Sequence, residues 1–358
     1  ATSAVAPTAQ AEISLVKIGT YRTGIFDKSA AEIGAYDKAS KRMFVVNGAA
    51  KAIDILDLSD PARPRKVGVV SLAAHGAGVN SVAVKNGIVA AAVEAKPKQA
   101  PGKVVFFQAA DGKVLGAVTV GALPDMVTFT PDGKTVLVAN EGEPSDDYKN
   151  DPEGSVSVID LSGGVNNATV RTADFRAWNG KPLPAGMHNG HPKSSFAQNV
   201  EPEYIAVSPD GATAYVTLQE SNAVAIVDVK AAKVTAVVGL GFKDHSTVAL
   251  DASDKDKRIA IRTWPVKGMY QPDSIALFRA GGANYLVTAN EGDARDYKGW
   301  SEETRVGKLK LDPKAFPNAD ALQKKAALGR LKTTRADGDA NGDGRHETIY
   351  SFGARSFS

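Results

Sequence analysis

The oxygen-bearing side chains of Asp337, Asp339, Asn341, Asp343 and Glu347 fall at alternate positions of one glycine-rich run, Asp337-Gly338-Asp339-Ala340-Asn341-Gly342-Asp343-Gly344-Arg345-His346-Glu347. Ligands at every second place, with a glycine at the sixth to turn the chain, can wrap a hard cation, so calcium is the expected cofactor. Asp343 would add a ligand and Glu347 would close the shell. The run departs from an EF-hand at the twelfth place, where Thr348 stands instead of Glu, and no helix flanks it. It is closer to the short calcium loops of extracellular proteins. An acidic turn without metal would use the same residues.

A second set of acids recurs. Asp125, Glu203 and Asp273 stand at matching strand starts, and Glu141, Glu143, Glu220, Asn290, Glu291 and Asp293 at matching corners. If the repeats superpose by rotation, these groups converge near one mouth of a central channel. Like charges crowded there need a cation or an arginine to neutralise them, and Arg295 and Arg355 are the expected neutralisers. A divalent cation at that mouth would act as a Lewis acid or generate hydroxide, which is phosphoester-hydrolysing chemistry. Alternatively, the carboxylates cap backbone amides and hold neighbouring sheets together.

Weaker sets are Asp251, Asp254 and Asp256, where Lys255 and Lys257 favour a solvated turn, and His188 with His191, which could share a metal only on a helical turn. No nucleophile elbow, zinc-protease motif, phosphate loop or dinucleotide fingerprint occurs, and nothing nominates a Ser-His-Asp set. Zero cysteines exclude disulfide and thiolate chemistry.

The elements that must position these groups repeat. Pro124-Asp125-Met126-Val127, Pro202-Glu203-Tyr204-Ile205 and Pro272-Asp273-Ser274-Ile275 each lead through a turn into a second apolar run, then to Asn140-Glu141, Gln219-Glu220 and Asn290-Glu291. Strands of period two at short intervals, joined by Asn-Gly and Asp-Gly turns, predict an all-β β-propeller of the YVTN/WD40-like kind. Five blade-like units can be counted, and seven are expected when the ring is complete. Runs ending at Asp57, Asp160 and Asp228 read as blade endings. Long insertions at 141–154 and 171–200 are expected to cap one face, and a helix-compatible stretch runs from Ala319 to Leu331.

The chain has 358 residues, of which 43% are hydrophobic and 7% aromatic, enough for a large core built from small side chains. With 43 basic and 40 acidic residues the net charge of +3 is too balanced for a nucleic-acid groove. No apolar run reaches the roughly 18 residues of a membrane span. The small-residue stretch from Ala1 to Ala11 resembles what remains beside a signal-peptidase site, so a periplasmic or extracellular location is expected. Residues 1–12 are read as a disordered mature N-terminus and 13–358 as the propeller domain. The last residues, Thr348 to Ser358, read as a strand that stops, so a C-terminal segment is expected to complete the ring.

Three tracts resemble one family: Gly268-Met269-Tyr270-Gln271-Pro272-Asp273, Ala289-Asn290-Glu291-Gly292-Asp293-Ala294-Arg295-Asp296-Tyr297, and Asp337 to Glu347 followed by Phe352-Gly353-Ala354-Arg355-Ser356-Phe357-Ser358. They are similar to the bacterial choice-of-anchor I family, to which mesenchyme surface glycoproteins of biomineralising animals are related. The resemblance runs from about Gly34 to the end. It implies an exported, often surface-associated propeller, with a drift towards alkaline-phosphatase assignments that lack a mechanism. Two functions are therefore expected. One is a calcium-binding surface or periplasmic scaffold for an unidentified ligand or partner. The alternative is a metal-dependent phosphoesterase of alkaline-phosphatase or phytase-like type, with Arg295 or Arg355 clamping phosphoryl oxygens.

Overall fold

The computed structural model describes residues 14–358; the N-terminal segment expected to be disordered, 1–12, lies outside the described residues. Four antiparallel four-stranded sheets follow one another along the chain. The first is β1 (Gly34–Asp37), β2 (Arg42–Asn47), β3 (Ala52–Asp57) and β4 (Arg65–Ser71), and the second β5 (Gly78–Lys85), β6 (Ile88–Glu94), β7 (Pro101–Gln108) and β8 (Val114–Ala122). The third is β9 (Pro124–Phe129), β10 (Thr135–Asn140), β11 (Ser155–Asp160) and β12 (Thr169–Asp174), and the fourth β13 (Pro202–Val207), β14 (Thr213–Leu218), β15 (Ala223–Asp228) and β16 (Lys233–Gly239).

The chain then changes pattern. β17 (Phe242–Asp244) and β18 (Lys267–Met269) precede the long hairpin of β19 (Pro272–Ala280) and β20 (Ala283–Asn290). β21 (Glu303–Arg305), β22 (Lys332–Thr334) and β23 (Tyr350–Ser351) return to β18, giving a mixed five-stranded sheet ordered β17-β18-β23-β22-β21. β24 (Ser356–Phe357) finally pairs with β20 in a three-stranded sheet. The fold is thus all-β and mostly antiparallel, with the first strands β5, β9, β13 and β19 packed side by side in order.

Period-two alternation explains how the sheets stack. On β6, Val89, Ala91 and Val93 pack with Phe44, Val46, Ile53 and Ile55 of the first sheet, whereas Ala90 and Ala92 pack with Val127, Phe129, Val136 and Val138 of the third. A strand buried on both faces must be apolar throughout, and alanine allows the neighbours to approach. Between the fourth sheet and β19–β20 the buried core thins to Ala206, Val224 and Ile275. The β5–β6 turn is Asn86-Gly87 with φ of 50° and 77°, the paired positive values of a type I′ turn.

Several sequence expectations change. The runs ending at Asp57, Asp160 and Asp228 are third strands, each followed by a fourth, and each Asp caps its turn by accepting from Ser59, Ser162 or Ala231 N–H. Residues 171–174 belong to β12, so the long insertion begins at Phe175. The Ala319 to Leu331 stretch forms one helical turn, Ala319–Leu322, within an apolar cluster that includes Trp264, Val306, Leu328 and Ile349.

Asn140 at the end of β10 is fully buried and donates to the Ser155 carbonyl at 3.3 Å and to Ser155 Oγ and Ser157 Oγ at 3.2 and 2.9 Å. Asn290 repeats this on Ser356 and Ser358 at 3.1 and 2.8 Å. Asn140→Ala should lower stability by about 2 to 3 kcal/mol in urea unfolding, because two buried hydroxyls lose their donor. A loss below about 0.5 kcal/mol, the scale of a neutral surface change, would contradict this strut role.

Candidate functional site

Register shifts decide where the acids go. Each first strand from the second sheet onward opens with two residues set against one. The extra residue is Asn80 between Val79 and Ser81, Asp125 between Pro124 and Met126, and Asp273 between Pro272 and Ser274; in the fourth sheet Glu203 and Tyr204 share one partner position. A bulge of this kind re-aims a side chain. The corner residues follow the ends of the second strands: Glu141 comes directly after Asn140, its amide donating to the Leu123 carbonyl at 2.9 Å, and Glu220 lies two residues beyond Leu218.

One carboxylate oxygen from each of Glu141, Glu203 and Glu220 lies within 4.8 Å of the other two. At an effective dielectric of about 20, two unit charges about 5 Å apart repel by about 3 kcal/mol. Three ionised carboxylates would accumulate roughly 10 kcal/mol, as much as a whole domain's stability. The cluster therefore holds protons or a cation at neutral pH. Burial, with Asp125 the next cause, pushes Glu203 up to about 8. Asp125 is pushed up to about 6 by burial and then by Asp273, Glu32 and Glu94. Burial likewise lifts Glu141 well above the carboxylate range, with Glu203, Asp125 and Glu220 adding to it, and Glu220 rises for the same reason against the pull of Arg295.

Of the other predicted rim residues, Glu143 ion-pairs with Lys98, and Asn290 is a strut. Glu291 and Asp293 are exposed, and between them the chain crosses Gly353 at Gly292 so closely that a Cβ would meet its backbone at 2.2 Å. Arg355 is exposed and ion-pairs with no carboxylate among the described residues. Arg295 is fully buried, not poised at a surface. Its guanidinium donates to Glu201 at 3.2 Å, lies 3.5 Å from Glu302, and donates to the Asn199 carbonyl, the Glu220 carbonyl and Ser221 Oγ. Buried and hydrogen-bonded to four internal acceptors, the side chain is not presented to solvent as the expected phosphoryl clamp would be.

Glu302 continues the network. His188, also buried, places one ring nitrogen on Glu302 and the other on Asp337, so the ring must carry both protons to donate to each. Burial alone would lower the His188 pKa, but the two carboxylates outweigh it and hold it at about 9. Burial would raise Glu302 and Asp337, yet His188 outweighs it in both and holds them below the usual range. Sequence reasoning missed Glu201, Glu302 and this role of His188; Glu201 directly before the Pro202 repeat was the only signal available.

Asp337 is thereby diverted from the predicted loop site, since its carboxylate also accepts from Asn189. The remaining residues of the run stay together. Carboxylate oxygens of Asp339, Asp343 and Glu347 lie within 4.8 Å of one another. Asp339 accepts from the N–H groups of Gly342, Asp343 and Gly344, and Glu347 accepts from Ala340 N–H and Asn341 Nδ2. The loop is therefore registered from Asp339, with Gly344 at the sixth place. Asp251, Asp254 and Asp256 do not converge: they bind Ala260 N–H, Arg330 and Arg258 respectively. His191 is separate from His188; its Nδ1 lies 3.0 Å from Ser194 Oγ, which donates to Asp151. That order puts serine between the other two, unlike a nucleophile-base-orienter chain.

The family model for the choice-of-anchor I domain matches residues 32–358, and the chain belongs to this family. No curated protein matches it. Among solved structures it is similar to a functionally unknown protein from Desulfotomaculum acetoxidans, at 10% identity and a TM-score of 0.42, covering 70% of this chain and 60% of that one. It is also similar to hydrazine synthase of Kuenenia stuttgartiensis, at 13% identity and a TM-score of 0.38, covering 73% and 80%. A protein from Bacteroides uniformis described as a 6-phosphogluconolactonase candidate gives 16% identity and a TM-score of 0.40, covering 59% and 55%. None is near enough to lend this chain an activity.

His188 gives a pH signature. Its folded pKa of about 9 lies above the ordinary 6.5, so its stabilising contribution is complete below 6.5 and is lost as pH rises through about 9. The lowered Glu302 and Asp337 bring the opposite loss in acid. His188→Gln should therefore cost most stability near pH 6.5, above the acid range in which Glu302 and Asp337 protonate, with the gap to the parent narrowing as pH rises from 6.5 to about 9 in denaturant titrations. A gap that stays constant from pH 6 to 10 would show that the charge on His188 is not what stabilises the network.

Proposed function

We propose that this choice-of-anchor I protein is an exported β-propeller that binds calcium at the loop beginning with Asp339 and serves as a surface or periplasmic binding scaffold. The observation that carries the reading is the convergence of Asp339, Asp343 and Glu347 on a loop already folded by hydrogen bonds to their carboxylates. Hard oxygen donors of this kind suit calcium, whose irregular shell tolerates a loop's geometry. Asn341 would add a neutral ligand. Its Nδ2 now donates to Glu347 while its Oδ1 accepts from Asp343 N–H.

The propeller reading is supported by sheets that repeat as four-stranded meanders with their first strands side by side. Export is supported by membership of a family named for its anchors. A scaffold role is supported by the internal commitment of Arg295, which the phosphoesterase alternative would need as a clamp.

Calcium at about 100 times its dissociation constant should stabilise the protein by about 2.7 kcal/mol, seen as a rise in melting temperature. Asp339→Ala and Asp343→Ala should each lower that rise, leaving only what cation binding elsewhere in the protein contributes. A calcium-insensitive parent would overturn the loop assignment. Hydrolysis of a chromogenic phosphate ester is expected to stay at background with calcium present. Metal-dependent turnover abolished by Glu141→Gln would instead establish the phosphoesterase alternative.

A further inference from the structure

We infer that Glu141, Glu203 and Glu220, backed by Asp125 and Asp273, form a second binding site, for a hard divalent cation of the calcium class, where the starts of the first strands meet. The site shares no residue with the loop at Asp339 and does not depend on it.

The spacing fits an ion. Oxygens around calcium sit about 2.3 to 2.6 Å from the metal, so ligands on opposite sides are about 5 Å apart. The three carboxylate oxygens fall within 4.8 Å of one another, inside that limit. The donor set fits too, because anionic oxygen without nitrogen or sulfur suits calcium, magnesium or manganese rather than zinc or copper. Ligands drawn from the ends of separate strands form an irregular shell, which calcium accepts and magnesium resists.

A second observation points to the same ligand. Glu220 is 6% exposed, and its Oε2 is buried with no hydrogen-bond partner. A carboxylate oxygen left bare in a buried position needs a proton donor or a cation. Among the described residues, Arg295, which donates to the Glu220 carbonyl, is held by Glu201 and Glu302, and Lys98 is taken by Glu143. Asp125 and Asp273 add further negative charge around Glu203. A bound divalent ion would supply the missing positive charge and give Glu220 its partner.

The test uses the 358-residue chain carrying Asp339→Ala and Asp343→Ala, which silences the surface loop. Terbium titrated at pH 8 is read by luminescence sensitised from Tyr204, which adjoins Glu203, and calcium is then used to displace it. The result expected is one saturable site, weakened at least about tenfold by Glu141→Gln and by Glu220→Gln, the scale on which metal-site substitutions act. Each substitution replaces a crowded carboxyl by a neutral amide of the same shape, so the melting point of the cation-free protein should not fall. Misfolding would lower both readings, and Glu203→Gln supplies an independent variant if one of the pair fails to fold. Absence of saturable binding in the loop-silenced chain, or binding unchanged in Glu141→Gln and Glu220→Gln, would overturn the site.

Discussion

Carboxylates from the ends of separate strands, drawn within 4.8 Å of one another, set the electrostatic problem that the surrounding structure answers. The crowding is not accidental to the fold, because it follows from the repeated bulge. Two residues against one at the start of each first strand turn Asp125, the Glu203 segment and Asp273 to the same side. Corner residues Glu141 and Glu220 arrive at the same end of the second strands. An apolar residue at those places would have relieved the repulsion at no cost to the sheet. Retaining acid there makes sense where charge is to be met by a counter-charge.

The protein answers part of the problem internally. Arg295 sits between Glu201 and Glu302, and Glu302 passes the interaction through His188 to Asp337. Removing one member of a buried ion pair typically costs about 3 to 5 kcal/mol, so the chain of charges is a strong constraint on local geometry. It spans distant parts of the sequence. Glu201 precedes β13, His188 lies in the insertion after β12, and Asp337 opens the acidic loop following β22. Loop and strand starts are thus tied by one continuous set of contacts, although the ligands of the two candidate cation sites are distinct.

Much of this was legible in the sequence and some was not. First and second strands were readable because burial on both faces forces continuous apolar runs such as Val89 to Val93 and Val136 to Ala139. Fourth strands such as Arg65–Ser71 and Lys233–Gly239 are largely exposed, carry charged and small residues, and left no such run. The convergence of Glu141, Glu203 and Glu220 could be anticipated from the repeat, whereas Glu291 occupies the same repeat position and turns outward where Gly292 meets Gly353. Asn80 occupies a bulge position but lacks the preceding proline that marked the other copies. Arg295 was readable as a neutraliser of acids, but its partners Glu201 and Glu302 were hidden because they are set by tertiary packing that no spacing rule encodes.

The measurement that bears most directly on the carboxylate cluster is anomalous diffraction from crystals grown at pH 8 with manganese. The expected result is an anomalous peak among Glu141, Glu203 and Glu220, with oxygens of all three at coordination distance, alongside a separate peak at Asp339, Asp343 and Glu347. Three carboxylates splayed apart into solvent, with no peak between them, would contradict the convergence on which this description of the protein rests.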